Sequence, residues 1–499
     1  MVIALPGAPV NVDPRVATDA YGEQILQMTH ASLVRRDAAG ELVPDLAERW
    51  ETPDPLTYIF HLRATSIDGL VPRPGLRFHD GRTLTSADVR STFAWILDPA
   101  NRSPHRALYR HVAAIETPDP RTVVFRLSEP FAPFLSTMVR GIVPAGSPAR
   151  GYAPPVGAGP YRIDDLSPDG EAVLSAYDGY YGGPPAIRAV TVKFVPDSNV
   201  RFLELKMGSV NFVLNGVDPD LLPAAKLPGR LVVEEGPGGN VTYLGFNLRD
   251  RALSDARVRR AIALAIDRET IVRTIWKGSA DLVSSILPPG SWAHDPDLPA
   301  VPFDPARARR LLDEAGFPDP DGNGPLPRLR LTYKTSQNEV RRRVATVIQE
   351  QLRQVGISVE IQSIEWGTFF SDIKKGNFQI YSLTWVGIAD PDIFHHAFHS
   401  RSGPPDGANR GGYSDAEVDR LTEIARREPS REKRREVYRR VQGILARDLP
   451  VFPLWAGRNL LVRDRRLAGF VLTPDESYAP VRAMRIVPDP SAASTGERR

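Results

Sequence analysis

The chain contains no cysteine, which excludes disulfides, thiol nucleophiles and cysteine-ligated zinc together, whatever compartment it occupies. Lysine is nearly absent as well: eight of the 63 basic residues are lysine, leaving 55 arginines. No apolar run approaches the ~18 residues that a spanning helix needs, and the longest, such as Ala261 to Ile266, are short. With 60 acids against the bases, the net charge is only +3, so the chain as a whole carries no field suited to nucleic acid. The start, Met1-Val-Ile-Ala-Leu-Pro6, lacks the basic region and apolar core of a secretory leader. A cytoplasmic location and a mature or truncated form both remain open on that ground.

Proline, by contrast, is abundant: 47 of 499 residues, about twice the usual ~5%, implying many rigid extended connections. Hydrophobic residues at 42% and charged residues at 25% are those of a water-soluble globular chain. At ~150 residues per domain, the length predicts about three domain-sized units.

Residues 2–5 read as a strand and Ala20 to Val34 as a helix. Tyr58, Phe60 and Leu62 alternate with Ile59, His61 and Arg63, and Val123, Phe125 and Leu127 alternate likewise, the period-2 pattern of half-buried strands. Between them, Thr85 and Asp88 make a capping box for a helix through Phe93 and Ile96. Proline and glycine crowd residues 141–160, ending in Gly157-Ala-Gly-Pro-Tyr161, which reads as a crossing between structural units. Asp304 caps a helix with Pro305 at its first position, Ala308, Leu311, Leu312 and Ala315 on one face, and Gly316 and Pro318 at its end. Val340, Val344, Val347, Ile348, Leu352 and Val355 form a longer stripe that stops at Gly356, and Ile357, Val359 and Ile361 then alternate as a strand. Phe378 to Trp385 reads as a further strand. Ser414 with Glu417 opens another helix, and Pro429-Ser430 opens one carrying Val437, Val441, Ile444 and Leu445. Strands and helices alternate with no fixed-period repeat, so the fold class is mixed α/β. Residues 488–499 read as a disordered tail.

Several groupings invite a chemical reading. His395, His396 and His399 follow closely on Asp390 and Asp392. On a helix His395 and His399 share a face suited to a metal with a carboxylate, but without an H-E-x-x-H pattern a polar rim at a loop–helix junction is the plainer reading. Asp319-Pro-Asp-Gly-Asn-Gly324 mimics a calcium loop until its twelfth position, Arg330, where a bidentate Glu is required, and reads as a turn. Ser430-Arg-Glu-Lys433 formally matches S-x-x-K, yet Ser430 suits a helix cap better. Gly236-Pro-Gly-Gly-Asn240 lacks the Gly-Lys-Ser/Thr of a phosphate loop. Arg341 to Arg343 and Arg431 to Arg435 lie among acids on helices and read as solvated faces. Trp366 and Trp385 mark the ends of a segment that turns back on itself, and a Gly/Pro/Asp loop follows Trp385 at a strand's carboxyl end, where α/β proteins bind ligands. On the residues alone, core packing of both tryptophans stays open beside ligand contact.

A series of markers then falls in a fixed order: Leu42-Val-Pro-Asp-Leu-Ala-Glu-Arg-Trp50, Tyr58-Ile-Phe-His-Leu-Arg63, Gly75-Leu-Arg-Phe-His-Asp-Gly81, Gly157-Ala-Gly-Pro-Tyr161, Tyr243-Leu-Gly-Phe-Asn247, Asp255 through Asp267, Phe303 through Leu312, Glu365-Trp366, Trp385 before Asp390-Pro391, and Leu449-Pro-Val-Phe-Pro453. In these the chain resembles, from about residue 2 to 487, the extracytoplasmic solute-binding proteins of ATP-driven importers, in the branch of oligopeptide-, dipeptide- and nickel-binding proteins. The resemblance implies a bilobal, type II periplasmic-binding-protein-like fold with an extra subdomain in the first lobe. Residues 1–34, 153–240 and 466–487 would form that lobe's core, 35–152 its insert and 241–465 the second lobe. It also implies closure around a solute with no covalent chemistry and no cofactor, ABC permease and ATPase subunits as partners, a monomer, and a periplasmic or extracytoplasmic place at the cell surface. Any lipid tether would need a cysteine outside the sequence given.

The resemblance makes Trp366 and Trp385 pocket tryptophans. Relatives that bind a peptide amine use an aspartate three residues after the second tryptophan; here that position is Ile388, and Asp390-Pro391 arrives one residue early, closer to the nickel-binding type. Asp390 or Asp392 are the candidate substitutes, with Tyr21 and Arg140 as further solute contacts. The leading expectation is a peptide or peptide-like solute. Within the family, a nickel or metal-chelate ligand is the alternative; outside it, a metal-dependent hydrolase built on Asp390, Asp392, His395 and His399.

Overall fold

The alternating residues that predict strands sort into three main sheets. The computed structural model describes residues 1–64, 75–148, 155–167, 170–226, 229–322 and 324–488. The expected tail, apart from Pro488, and Asn323 of the Asp319 turn lie outside the described residues. The chain divides into two compact units, Met1–Gly236 with Asn459–Arg499, and Pro237–Arg458.

In the first unit a seven-stranded sheet is built around Val2–Leu5, which pairs in parallel with Ala189–Phe194 on one side and Phe212–Leu214 on the other. Its period-2 geometry feeds two cores at once. Ile3 and Leu5 pack with Leu174, Val192 and Phe212, while Ala4 joins Phe202, Leu205 and Val462. A separate four-stranded antiparallel sheet takes Ala47–Asp54, Thr57–Leu62, Thr122–Leu127 and Val112–Asp119. The helix Ser86–Leu97, opened by the Thr85–Asp88 capping box, packs on it, and Phe60, Phe93 and Phe125 meet edge to face at 5.2–5.8 Å.

The first helix is shorter than its apolar pattern predicts: it spans Ala20–Thr29, and His30 is already extended. Two features end it. Val34–Arg36 is drawn into pairing with Leu42–Pro44, and the Gly157-Ala-Gly-Pro-Tyr161 segment lies directly on the helix end. A side chain at Gly157 or Gly159 would overlap the Thr29 backbone, and Gly159 N–H donates to the Thr29 carbonyl at 3.0 Å. From the other side His79 bonds both glycines, its N–H to Gly157 O at 2.9 Å and its ring to Gly159 O at 3.0 Å.

The second unit holds a six-stranded sheet in the order Ala280–Leu282, Val451–Gly457, Val241–Phe246, Ile380–Trp385, Leu329–Ser336, Ile357–Ile364. Helix Glu339–Arg353 buries Val344, Ala345, Ile348 and Leu352 against it, and Gly356 turns the chain at φ +84°. The expected strand from Phe378 pairs only from Ile380, and the helix expected at Ser414 is capped one residue later by Asp415, which accepts from Glu417 and Val418 N–H. Helix Arg431–Asp448 starts at Ser430, which accepts from Lys433 N–H as a cap.

Three imidazoles of the first unit are kept neutral chiefly by burial, His30 pushed down to about 3 and His79 and His105 to about 4. Unfolded, each titrates near ~6.5, so below that pH the unfolded chain takes up protons that the folded unit refuses. Stability is therefore full above pH ~6.5 and falls as the pH drops, by about 2 kcal/mol per imidazole at pH 5. Denaturant unfolding at pH 7.5 and pH 5 checks this; equal stabilities would contradict it.

Candidate functional site

Leu329–Ser336 runs parallel to both Ile357–Ile364 and Ile380–Trp385, so three strand carboxyl ends open on one edge of the second unit's sheet. Past the first, Asn338 caps the helix Glu339–Arg353 and accepts from Arg341 N–H at 3.1 Å. Past the second, Glu365 caps the helix Trp366–Lys375, accepting from Gly367 and Thr368 N–H at 2.8 and 3.1 Å. These caps set Arg341 in one first turn and Trp366 at the head of the other, with the guanidinium 5.5 Å from the indole centroid.

From there a ladder of rings and cations continues. Trp366, 50% exposed, stacks on Phe370 at 5.6 Å and 8°. Arg410 lies 5.4 Å from the Phe370 ring and 5.1 Å from the Trp385 ring, and Trp385 stacks on Tyr243 at 5.8 Å and 14°. Arg410 also donates to the Tyr243 hydroxyl at 2.8 Å. Burial pushes the Tyr243 phenol well up, so it stays a neutral acceptor there. Gly245 supports the arrangement by what it lacks: a side chain at that position would overlap the Tyr381 ring, whose hydroxyl lies 3.5 Å from that of Tyr243. His396 meets Trp385 edge-on, and burial, with Arg410 and Arg426 nearby, holds its imidazole below the usual value. Neither Arg341 nor Arg410 has a carboxylate partner among the described residues.

Asp390 and Asp392, the candidates for a solute amine, are both paired with arginines and do not face this wall as free groups. Arg434 donates to Asp390 at 2.6 Å, and Arg426 grips Asp392 through two bonds of 2.7 and 2.8 Å. All four side chains are less than 20% exposed. Burial raises the Asp392 carboxyl from its usual value, with Arg426 pulling the other way. Arg341 and Arg434 therefore depart from the solvated-face reading of the two arginine runs.

His395 and His399 do come together, their rings 4.3 Å apart, but not as metal ligands. Helix Ile393–Phe398 ends before His399, whose Nδ1 accepts from Arg401 N–H at 3.1 Å, leaving Nε2–H to donate to Glu423 at 3.2 Å. His395 Nδ1 lies 3.3 Å from the Ser402 hydroxyl. Among the described residues no three His, Asp or Glu side chains gather as a metal site. The hydrolase alternative loses its constellation on both counts.

Tyr21 and Arg140 belong to the first unit. Tyr21 packs half-buried against Gly7 under the seven-stranded sheet, and Arg140 is paired with Glu23 beside His105. The sequence reading missed Arg410 altogether. Its one signal is a lone arginine between Asn409 and Gly411-Gly412, in a segment whose backbone folds back to Phe246 and Leu248.

Removing one partner of a buried pair strands the other charge, so Arg434→Met is expected to cost about 3–5 kcal/mol and Arg434→Met with Asp390→Leu much less. Chemical denaturation of the two variants checks this, and a single-variant cost below ~1 kcal/mol would contradict the pairing.

The profile of the bacterial extracellular solute-binding proteins, family 5 Middle, matches residues 41–405. The dipeptide-binding protein of Escherichia coli is 25% identical across 95% of this chain and 92% of its own length. The probable di/tripeptide-binding protein 5 of Pseudomonas aeruginosa is 29% identical across 95% of each. The structure of the oligopeptide-binding protein AppA from Bacillus subtilis, in complex with a nonapeptide, matches with a TM-score of 0.83 at 25% identity, covering 98% of this chain and 99% of that one. NikA from Brucella suis, in complex with Fe(III)-EDTA, gives 0.86 at 23% identity over 97% and 100%, a likeness of fold alone. With its mixed α/β fold shared along nearly its whole length and 365 of its 499 residues inside the family profile, the chain belongs to the bacterial extracellular solute-binding proteins, family 5.

Proposed function

We propose that this protein is the solute-binding component of an ABC importer, capturing a peptide or peptide-like solute outside the cytoplasmic membrane and handing it to permease and ATPase subunits. The single observation that carries the reading is the ladder of Trp366, Phe370, Arg410 and Trp385, a half-open aromatic face, beyond the carboxyl ends of parallel strands, whose guanidiniums have no carboxylate partner among the described residues. Its flat rings suit peptide planes and side chains, and Arg341 suits an acid terminus. The dipeptide- and di/tripeptide-binding relatives support the solute class. No helix among the described residues is long and apolar enough to cross a membrane.

The work asked of the chain is binding and release, with no bond made or broken. The described part of residues 35–152, with its own four-stranded sheet and aromatic core, is read as an inserted subdomain of the first unit.

A thermal-shift screen of di- to pentapeptides, a nickel–histidine chelate and EDTA tests the reading. Peptides are expected to raise the melting temperature, EDTA to change nothing, and peptides to be recovered intact. Trp385→Ala is expected to weaken the best peptide at least tenfold, about 1.4 kcal/mol. Stabilisation by the nickel chelate alone would move the protein to the metal-chelate branch, and peptide cleavage would end the binding-only account.

A further inference from the structure

We infer that the solute held at this wall is an anion with two acid groups, one for Arg341 and one for Arg410, and that it needs no free amine. The inference rests on the solute-binding reading of the wall and narrows it.

The two arginines sit on either side of the Trp366–Phe370 stack, Arg341 against Trp366 and Arg410 between Phe370 and Trp385. Neither has a carboxylate partner among the described residues. Guanidiniums at comparable depth elsewhere are matched, Arg426, Arg434 and Arg140 by an acid and Arg259 and Arg268 by backbone carbonyls, whereas among the described residues Arg410 has the Tyr243 hydroxyl and Arg341 neither acid nor carbonyl. A half-buried guanidinium with no opposite charge is costly to maintain, and its planar fork matches a carboxylate in two bonds.

Four acids close to the wall are already engaged. Glu365 caps its own helix, and Asp372 takes the Lys334 ammonium at 2.7 Å. Asp390 and Asp392 are held by Arg434 and Arg426. A solute ammonium at this wall would find Asp372, Asp390 and Asp392 each held by a cation, and three cations against the rings, because Lys374 also lies 5.1 Å from the Phe370 ring. An acid there meets the three cations that line the rings.

Calorimetric titration of the full chain with Glu-Glu, N-acetyl-Glu-Glu, Gln-Gln and Lys-Lys tests this, with succinate to pimelate as peptide-free dicarboxylates. Expected are dissociation constants for Glu-Glu and its acetylated form within about threefold of each other, Gln-Gln at least tenfold weaker, and Lys-Lys undetectable. Arg410→Gln, with its melting temperature verified, should erase most of the preference for Glu-Glu over Gln-Gln. Arg410→Lys should restore part of it, which a merely structural Arg410 would not do. A tenfold loss on acetylation, or equal binding of Gln-Gln and Glu-Glu, overturns the inference while leaving a peptide binder. Dicarboxylates binding where no peptide does keep the anion and overturn the peptide. No binding by any probe overturns both.

Discussion

The ion pairs beneath the segment after Trp385 decide what the wall offers. Asp390 and Asp392 stand where a solute-facing acid would be expected, yet Arg434 and Arg426 turn both inward and fasten the loop to the two helices that follow it in sequence. With those acids neutralised, Arg341, Lys374 and Arg410 are the cations set against the wall's rings. The same pairs hold the loop that leads out of Trp385, so the indole keeps its stack on Tyr243 and its contact with Arg410.

The preference for arginine over lysine has a physical counterpart throughout the fold. Arg268 reaches the Val283 and Pro453 carbonyls at 2.8 and 2.9 Å, and Arg259 the Leu449 and Leu253 carbonyls at 2.9 and 2.7 Å, both nearly buried. Each ties distant backbone segments together through one planar group with five donors, a task for which a lysine ammonium offers only three donors on a flexible stem. Burial pushes the Arg268 guanidinium down to about 10, still charged at neutral pH. Against that background, a guanidinium with neither acid nor carbonyls around it, such as Arg341, stands out.

Much of the fold was legible because its signals are local. The Thr85–Asp88 box, Asp304-Pro305 and the Val344–Leu352 stripe each contain their own start, face or stop within a dozen residues. Where a distant segment decides, local reading fails: the first helix ends at Thr29 because glycines 128 and 130 residues later lie across it. The site divides in the same way. Trp366 and Trp385 are visible as aromatics at strand and helix ends, but the arginines that hold Asp390 and Asp392 are not, because they lie 44 and 34 residues downstream. Arg410 joins the wall only through tertiary folding, from a loop that carries no motif of its own.

We propose that this wall selects an acidic solute by its rings and by two guanidiniums that face no carboxylate. Native mass spectrometry of the protein purified from its own cells, followed by fragmentation of the released ligand, identifies that solute. The expected ligand is a peptide-like molecule with at least two acid groups and a net negative charge. A ligand with a net positive charge, or a bare metal ion, would contradict it.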